Sequence, residues 1–334
     1  MTSIIGFQQY NESNILIFRE IFKNGTVRDF GMLNGLKMDS VSSWLKTDVV
    51  VGEDKRYRHN LITEDYTKRG DILETLKGLI RTAHDDARFK LREFLRDDLD
   101  PLEEWDEAED PAEGYPEVLD LTTLKGYFGE FFSGLVAENF APFEESNWRV
   151  PLFPFRFHNT AFDQLEVYHQ TGQIKNATYG RTGDDCVAFV LDGHVITKIL
   201  FLEAKCTATH DSTAITAAHK KISSQNLKPV ELKRLVDALK AYRQNTDVVE
   251  WIVALRNLYR SNSGFERFDC VSYVCGSTPK NSRKSWISRQ TPHSFYTGGR
   301  KLEAVEVHLT AVNELVRLVY GKEEQTFGGE QRNT

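Results

Sequence analysis

Residues 183–207, GDDCVAFVLDGHVITKILFLEAKCT, constrain the fold more than any other stretch of the chain. Cys186 to Leu191 and Val195 to Leu202 are continuous apolar runs, the second rich in branched residues, and Asp192-Gly193 between them is a strong two-residue hairpin signal. The pattern predicts a buried antiparallel hairpin. In such a pair the start of one strand lies beside the end of the next, so Asp185, before the first strand, should converge with Glu203 and Lys205 at the end of the second. Glu203 and Lys205 are two residues apart and project from the same face.

Isolated buried charge carries a large desolvation penalty, so two carboxylates and an ammonium at the rim of an apolar hairpin must pair with one another or hold a cation. Carboxylate oxygens are hard ligands suited to Mg²⁺, which commonly sits on one or two carboxylates plus substrate phosphates. A lysine beside them can orient or stabilise an attacking water, which completes the parts needed for metal-assisted phosphodiester hydrolysis. A structural Asp–Lys or Glu–Lys ion pair would read the same way. The spacing E-x-K also occurs at Glu53-Asp54-Lys55 and Glu231-Leu232-Lys233, but only Glu203-Ala204-Lys205 caps a strand-like run with an aspartate at the mirrored end of a hairpin.

The flanking sequence supplies helices for such a sheet. Leu121, Leu124, Phe128, Phe131, Phe132 and Leu135 recur at helical spacing and predict a helix over about 119–139, on which Gly126, Glu130 and Gly134 fall on one line and invite a close neighbour. Trp148 to Phe157 reads as an edge strand interrupted by Pro151 and Pro154. Asp211 or Ser212 can cap a helix through Ala214, Ile215, Ala218 and Ile222, with His219, Lys220, Lys221 and Gln225 left to meet a phosphate backbone. Further helices are expected over Val230 to Tyr259, strands at Cys270 to Cys275 and Leu302 to Leu309, and a closing helix at Thr310 to Tyr320. Between those last strands, Lys280, Arg283, Lys284, Arg289 and Arg300 interleave with Trp286, Phe295 and Tyr296, a composition suited to nucleic-acid contact.

Charge divides the chain. Asp97 to Glu117 holds eleven Asp or Glu and no Lys or Arg, whereas Lys198 to Lys301 holds eighteen Lys or Arg against eight acids, within an overall net charge of −7. The basic stretch suits a phosphate-bearing partner. The acidic block, broken by Pro101, Pro111, Gly114 and Pro116, reads as a solvated linker over 97–117, separating an N-terminal module, 1–96, from a catalytic domain, 118–334. Strand runs at Ile4 to Phe7, Asn14 to Phe18 and Val49 to Val51 and a helix near Ile72 to Leu95 make that module α+β. No run approaches the length of a membrane span and no secretory leader is evident, so the chain reads as soluble and cytoplasmic. Four cysteines without a C-x-x-C pair give a disulfide scaffold or zinc ribbon little support and read as buried, reduced thiols, and the absence of G-x-x-x-x-G-K-[ST] and G-x-G-x-x-G excludes a P-loop motor and a simple dinucleotide site.

The order of elements over residues 119–310, with Glu130 on a helix, Asp185 and Glu203-Ala204-Lys205 on successive strands, then helix and strand, resembles the PD-(D/E)XK nuclease superfamily. The resemblance implies a restriction-endonuclease-like α/β fold, a mixed central sheet flanked by helices. It implies that Asp185 and Glu203 bind Mg²⁺ or Mn²⁺, that Lys205 acts on the attacking water and that Glu130 assists. The nominal proline is replaced by Asp184, which leaves Asp184 and Asp185 both open as the ligand; Asp163 is a weaker candidate. Gly129-Glu130 and LFLEAKC are further similar to the nuclease subunit of Hachiman antiphage systems, which works with a helicase. The expectation is a metal-dependent endodeoxyribonuclease with DNA as substrate, a helicase or ATPase as partner and a homo-oligomer as one possible assembly. The alternatives are a non-cleaving nucleic-acid- or partner-binding protein on the same fold, and a sequence-specific restriction endonuclease.

Overall fold

A computed structural model describes residues 38–97, 110, 112–151, 153, 164–165, 167–168, 171–173, 186–226, 229–261, 264–280 and 282–322. The elements in chain order are α1 (Met38–Trp44), β1 (Leu45–Val51), β2 (Tyr57–Glu64), α2 (Arg69–Asp97), α3 (Leu121–Asn139), β3 (Cys186–Asp192), β4 (Val195–Thr207), α4 (Ser212–Ser224), α5 (Pro229–Leu239), α6 (Thr246–Ser261), β5 (Glu266–Cys275), β6 (Lys301–His308) and α7 (Val312–Val319). The strands form one six-stranded sheet in the order β1-β2-β6-β5-β4-β3. Its centre, β2-β6-β5-β4, is parallel, and an antiparallel hairpin closes each edge.

Both faces are covered, which is why β3 and much of β4 read as near-continuous apolar runs. On one face α1, α2, α3 and α7 pack Trp44, Leu76, Phe128, Phe132 and Leu315 against Leu200, Leu202, Val305 and Val307. On the other, α4, α5 and α6 pack Ile215, Ile222, Leu239, Trp251 and Leu255 against Ile199, Phe201, Val271 and Ala304. No helix among the described residues is long and apolar enough to cross a membrane.

The hairpin forms as expected, with one adjustment. Asp192 pairs with Val195, so the two-residue turn is Gly193-His194, and Gly193 supplies the positive φ of +54° at its first position. The helix over 121–139 and the strands and helices from 212 to 319 lie close to the expected spans. Trp148 to Phe157 does not form a strand over its described residues: Arg149 makes a single antiparallel bridge to Phe189, and residues 154–157 lie outside the described set, as do Ile4 to Phe7 and Asn14 to Phe18.

The expected separation of an N-terminal module from the rest is corrected. β2 pairs with β6 in parallel, Tyr57 opposite Leu302 through Thr63 opposite His308, so the described part of residues 1–96 belongs to the same sheet and core as the later strands. The described end of the acidic stretch is also not a solvated linker. Ala112 and Tyr115 are buried, and Asp110 and Glu117 pair with Arg92 and Arg88 on α2. Arginines spaced along one helix thus draw this end of the acidic block onto the core.

Candidate active site

β4 sets the direction of the site. Ile199 and Phe201 point into the core beneath α4 and α6, and strict alternation carries Glu203 and Lys205 onto that same face. Cys186, the first described residue of β3, pairs with Leu202, the residue before Glu203. Asp184 and Asp185, like Asp163, lie outside the described residues.

Glu203 is completely buried, and two ammonium groups meet its carboxylate. Lys205 donates to Oε1 at 2.5 Å and to the Ala204 carbonyl at 3.0 Å, and Lys221 Nζ, from α4, stands 2.6 Å from Oε2. The lysine side chains are 29% and 35% exposed, whereas the carboxylate they meet is fully buried. The sequence points Lys221 toward nucleic-acid contact; its place beside Glu203 follows from lying next to Ile222 and three residues after Ala218, at the rim of the buried face of α4. That helix is positioned by Asp211, whose side chain accepts the Thr213 and Ala214 N–H groups, and by the Tyr273 hydroxyl, which accepts the Asp211 N–H.

Glu130 is buried in α3, on the opposite layer but at the same end of β4. The approach is close at Gly129, where a Cβ would stand 3.1 Å from the Cys206 Cβ. Gly134, expected to admit a backbone, instead leaves room for the Phe153 ring, 2.7 Å from an added Cβ. Burial pushes the Cys206 thiol up to about 12, which disfavours the thiolate form. All four cysteines are free.

Among the described residues no group of three or more His, Cys, Asp or Glu side chains is placed to hold a metal ion. The donor chemistry at Glu203 nevertheless suits one. Its charge is met by two ammonium groups that can withdraw to water, so a hard divalent cation could replace them without leaving a buried charge unpaired.

The expected nucleic-acid contacts divide into open and committed groups. Lys220, Lys280 and Lys284 are exposed. Arg283 bonds the Ser285 and Trp286 carbonyls, and Arg289 pairs with Asp48 on β1 at 2.9 Å, so both brace the 276–300 loop. Gln225 is buried at the C-cap of α4, and His219, expected on the open face, is fully buried.

A second buried carboxylate on the same sheet face escaped the sequence reading. Glu306 on β6 accepts the Trp286 and Ile287 N–H groups at 2.7 and 2.9 Å, with His308 Nε2 at 2.6 Å and His59 Nε2 at 3.5 Å. Burial raises its pKa, but the hydrogen bonds from His308, His59 and the two amides outweigh that and hold it at about 2. Its partners come from β2, β6 and a loop, so no local pattern announces them.

No protein-family model matches the chain, and no curated protein matches it in sequence.

Proposed function

We propose that the chain is a metal-dependent nuclease that hydrolyses DNA phosphodiester bonds on a restriction-endonuclease-like fold. The observation that carries the reading is the buried Glu203 carboxylate with Lys205 two residues along the same strand face, at the end of β4. Glu203, with Asp185 or Asp184, would hold Mg²⁺ or Mn²⁺, which when bound acidifies a water and neutralises charge growing on the phosphodiester. Lys205 orients and stabilises the attacking water. Glu203 fixes the Lys205 ammonium by the 2.5 Å contact to Oε1. Lys221 supplies a second positive charge for a phosphate oxygen, and exposed Lys220, Lys280 and Lys284 neutralise the backbone on either side. The short similarity to a Hachiman nuclease subunit extends the reading to an antiphage effector acting with a helicase or ATPase partner.

A second reading has an observation in its favour. Two lysines already neutralise Glu203, as they would in a binder that holds DNA without cutting it. Incubating the protein with supercoiled, linear and single-stranded DNA plus Mg²⁺, Mn²⁺ or chelator, beside Glu203→Gln and Lys205→Ala, separates the two. Metal-dependent cutting that falls at least about 100-fold in both variants is the expected result, since losing one transition-state charge partner costs roughly that much. DNA binding without cutting by any form, under every metal, selects the binder.

A further inference from the structure

The three aromatic side chains of the 276–300 loop are not equivalent. The Trp286 indole N–H donates to the Ser277 carbonyl at 3.1 Å and the ring stacks on His210 at 4.0 Å and 12°, while the Tyr296 hydroxyl donates to Asp269 at 2.8 Å. Both are fixed in the structure of the loop. Phe295, by contrast, is 53% exposed.

Phe295 also heads a column of rings. Its ring lies 5.8 Å and 28° from that of His293, which lies 4.8 Å and 24° from that of His219. His219, fully buried on α4, donates Nδ1–H to the Ile215 carbonyl at 2.8 Å, and burial lowers its imidazole to about 4, so the base of the column is a neutral ring. The loop is pinned there: Thr297 N–H donates to Ser223 Oγ at 3.0 Å, and that hydroxyl donates to the His219 carbonyl at 2.7 Å. The exposed ring therefore stands on a rigid support. On α4, Lys221 turns toward Glu203, His219 toward the loop, and Lys220 stays exposed between them.

A flat apolar face beside a helix that presents the exposed Lys220 matches a base with its phosphate, and only an unpaired base has a free face to offer. We propose that Phe295, capping the His219–His293 column, stacks an unpaired nucleobase, so that the substrate is single-stranded DNA or the frayed part of a duplex. A strand laid over Lys220 would place one nucleotide on Phe295 while its neighbours cross α4 toward the lysines at Glu203. The inference rests on the nuclease reading for its biological meaning, but its test does not.

The full chain is titrated in chelator against a labelled single-stranded oligonucleotide and a blunt duplex, as wild type, Phe295→Ala and Phe295→Trp. Loss of one stacked base predicts about 5- to 150-fold weaker single-strand binding by Phe295→Ala, near-normal binding by Phe295→Trp and unchanged duplex binding. A fluorescent adenine analogue in the strand should be quenched by wild type and by the tryptophan variant but not by the alanine variant. Equal single-strand affinity for wild type and Phe295→Ala, or an equal loss on duplex, overturns the proposal. The exposed ring can be removed without disturbing the core, and circular dichroism checks this. Cleavage assays with Glu203→Gln report separately on the nuclease reading, so either idea can fail alone.

Discussion

Glu203 and Glu306 lie on the same face of one sheet, each fully buried and carrying polar partners, yet they are finished differently. Glu306 is held by two backbone N–H groups and two buried histidines, donors that cannot leave without unfolding something. Glu203 is met by two lysines on flexible stems whose side chains are 29% and 35% exposed. The contrast separates a carboxylate built to anchor a loop from one whose partners can be exchanged for a metal or a phosphate. Burial and charge are alike in the two, so the mobility of the partners decides the role.

The sharpest way to break this comparison is stability. Glu306→Ala strands two amides and two imidazoles, and should cost about 3–5 kcal/mol in urea unfolding. Glu203→Gln should cost no more than about 1 kcal/mol, because its lysines can turn to solvent. Equal losses would remove the distinction. The acid limb sharpens it: Glu306 at about 2, below the ordinary 4.5, contributes about 3 kcal/mol that is full above pH 4.5 and is lost as pH falls toward 2, and Glu306→Ala should flatten that limb.

A third carboxylate extends the series. Among the described residues Glu138 accepts only the Val150 N–H, at 2.7 Å, and burial raises it to about 7. Its folded pKa lies above the unfolded one, so its contribution is full below about pH 4.5 and is lost as pH rises through 7. Glu138→Gln keeps the acceptor and should gain about 1–3 kcal/mol over wild type at pH 8 and little at pH 5, read as melting temperatures. The smallest effect belongs to Lys221→Met, which leaves Glu203 its Lys205 partner and should shift stability by less than about 1 kcal/mol. It should lower the Mn²⁺ concentration giving half-maximal thermal shift by about fivefold, since one cation no longer competes for Oε2.

What could be read from sequence follows the distance over which each feature is decided. The hairpin, the shared face of Glu203 and Lys205, the Asp211 cap and the helix carrying Glu130 are set within one or two elements, where period and turn chemistry act directly. The same local logic misled at Trp148 to Phe157, where β-favouring residues find one bridge partner in place of a ladder. It misled again at His219, whose ring is buried by a loop more than seventy residues later in the chain. Glu306 drew no attention because its partners span β2, β6 and the 276–300 loop, and the acidic stretch looked solvated because Arg88 and Arg92 are remote in sequence.

The parallel seam between β2 and β6 has a consequence for how the molecule is made. Among the described strands β2 meets the rest of the sheet through β6, with Tyr57 opposite Leu302, so β1 and β2 cannot join it until β6 has been synthesised. Such distant pairings pay loop-closure entropy before any contact rewards them, and they slow folding. On the ribosome the first hairpin must therefore wait with an open edge, while the β3–β4 hairpin that carries Glu203 and Lys205 can close on itself. The residues proposed for catalysis are framed early, and the sheet that steadies them is completed last.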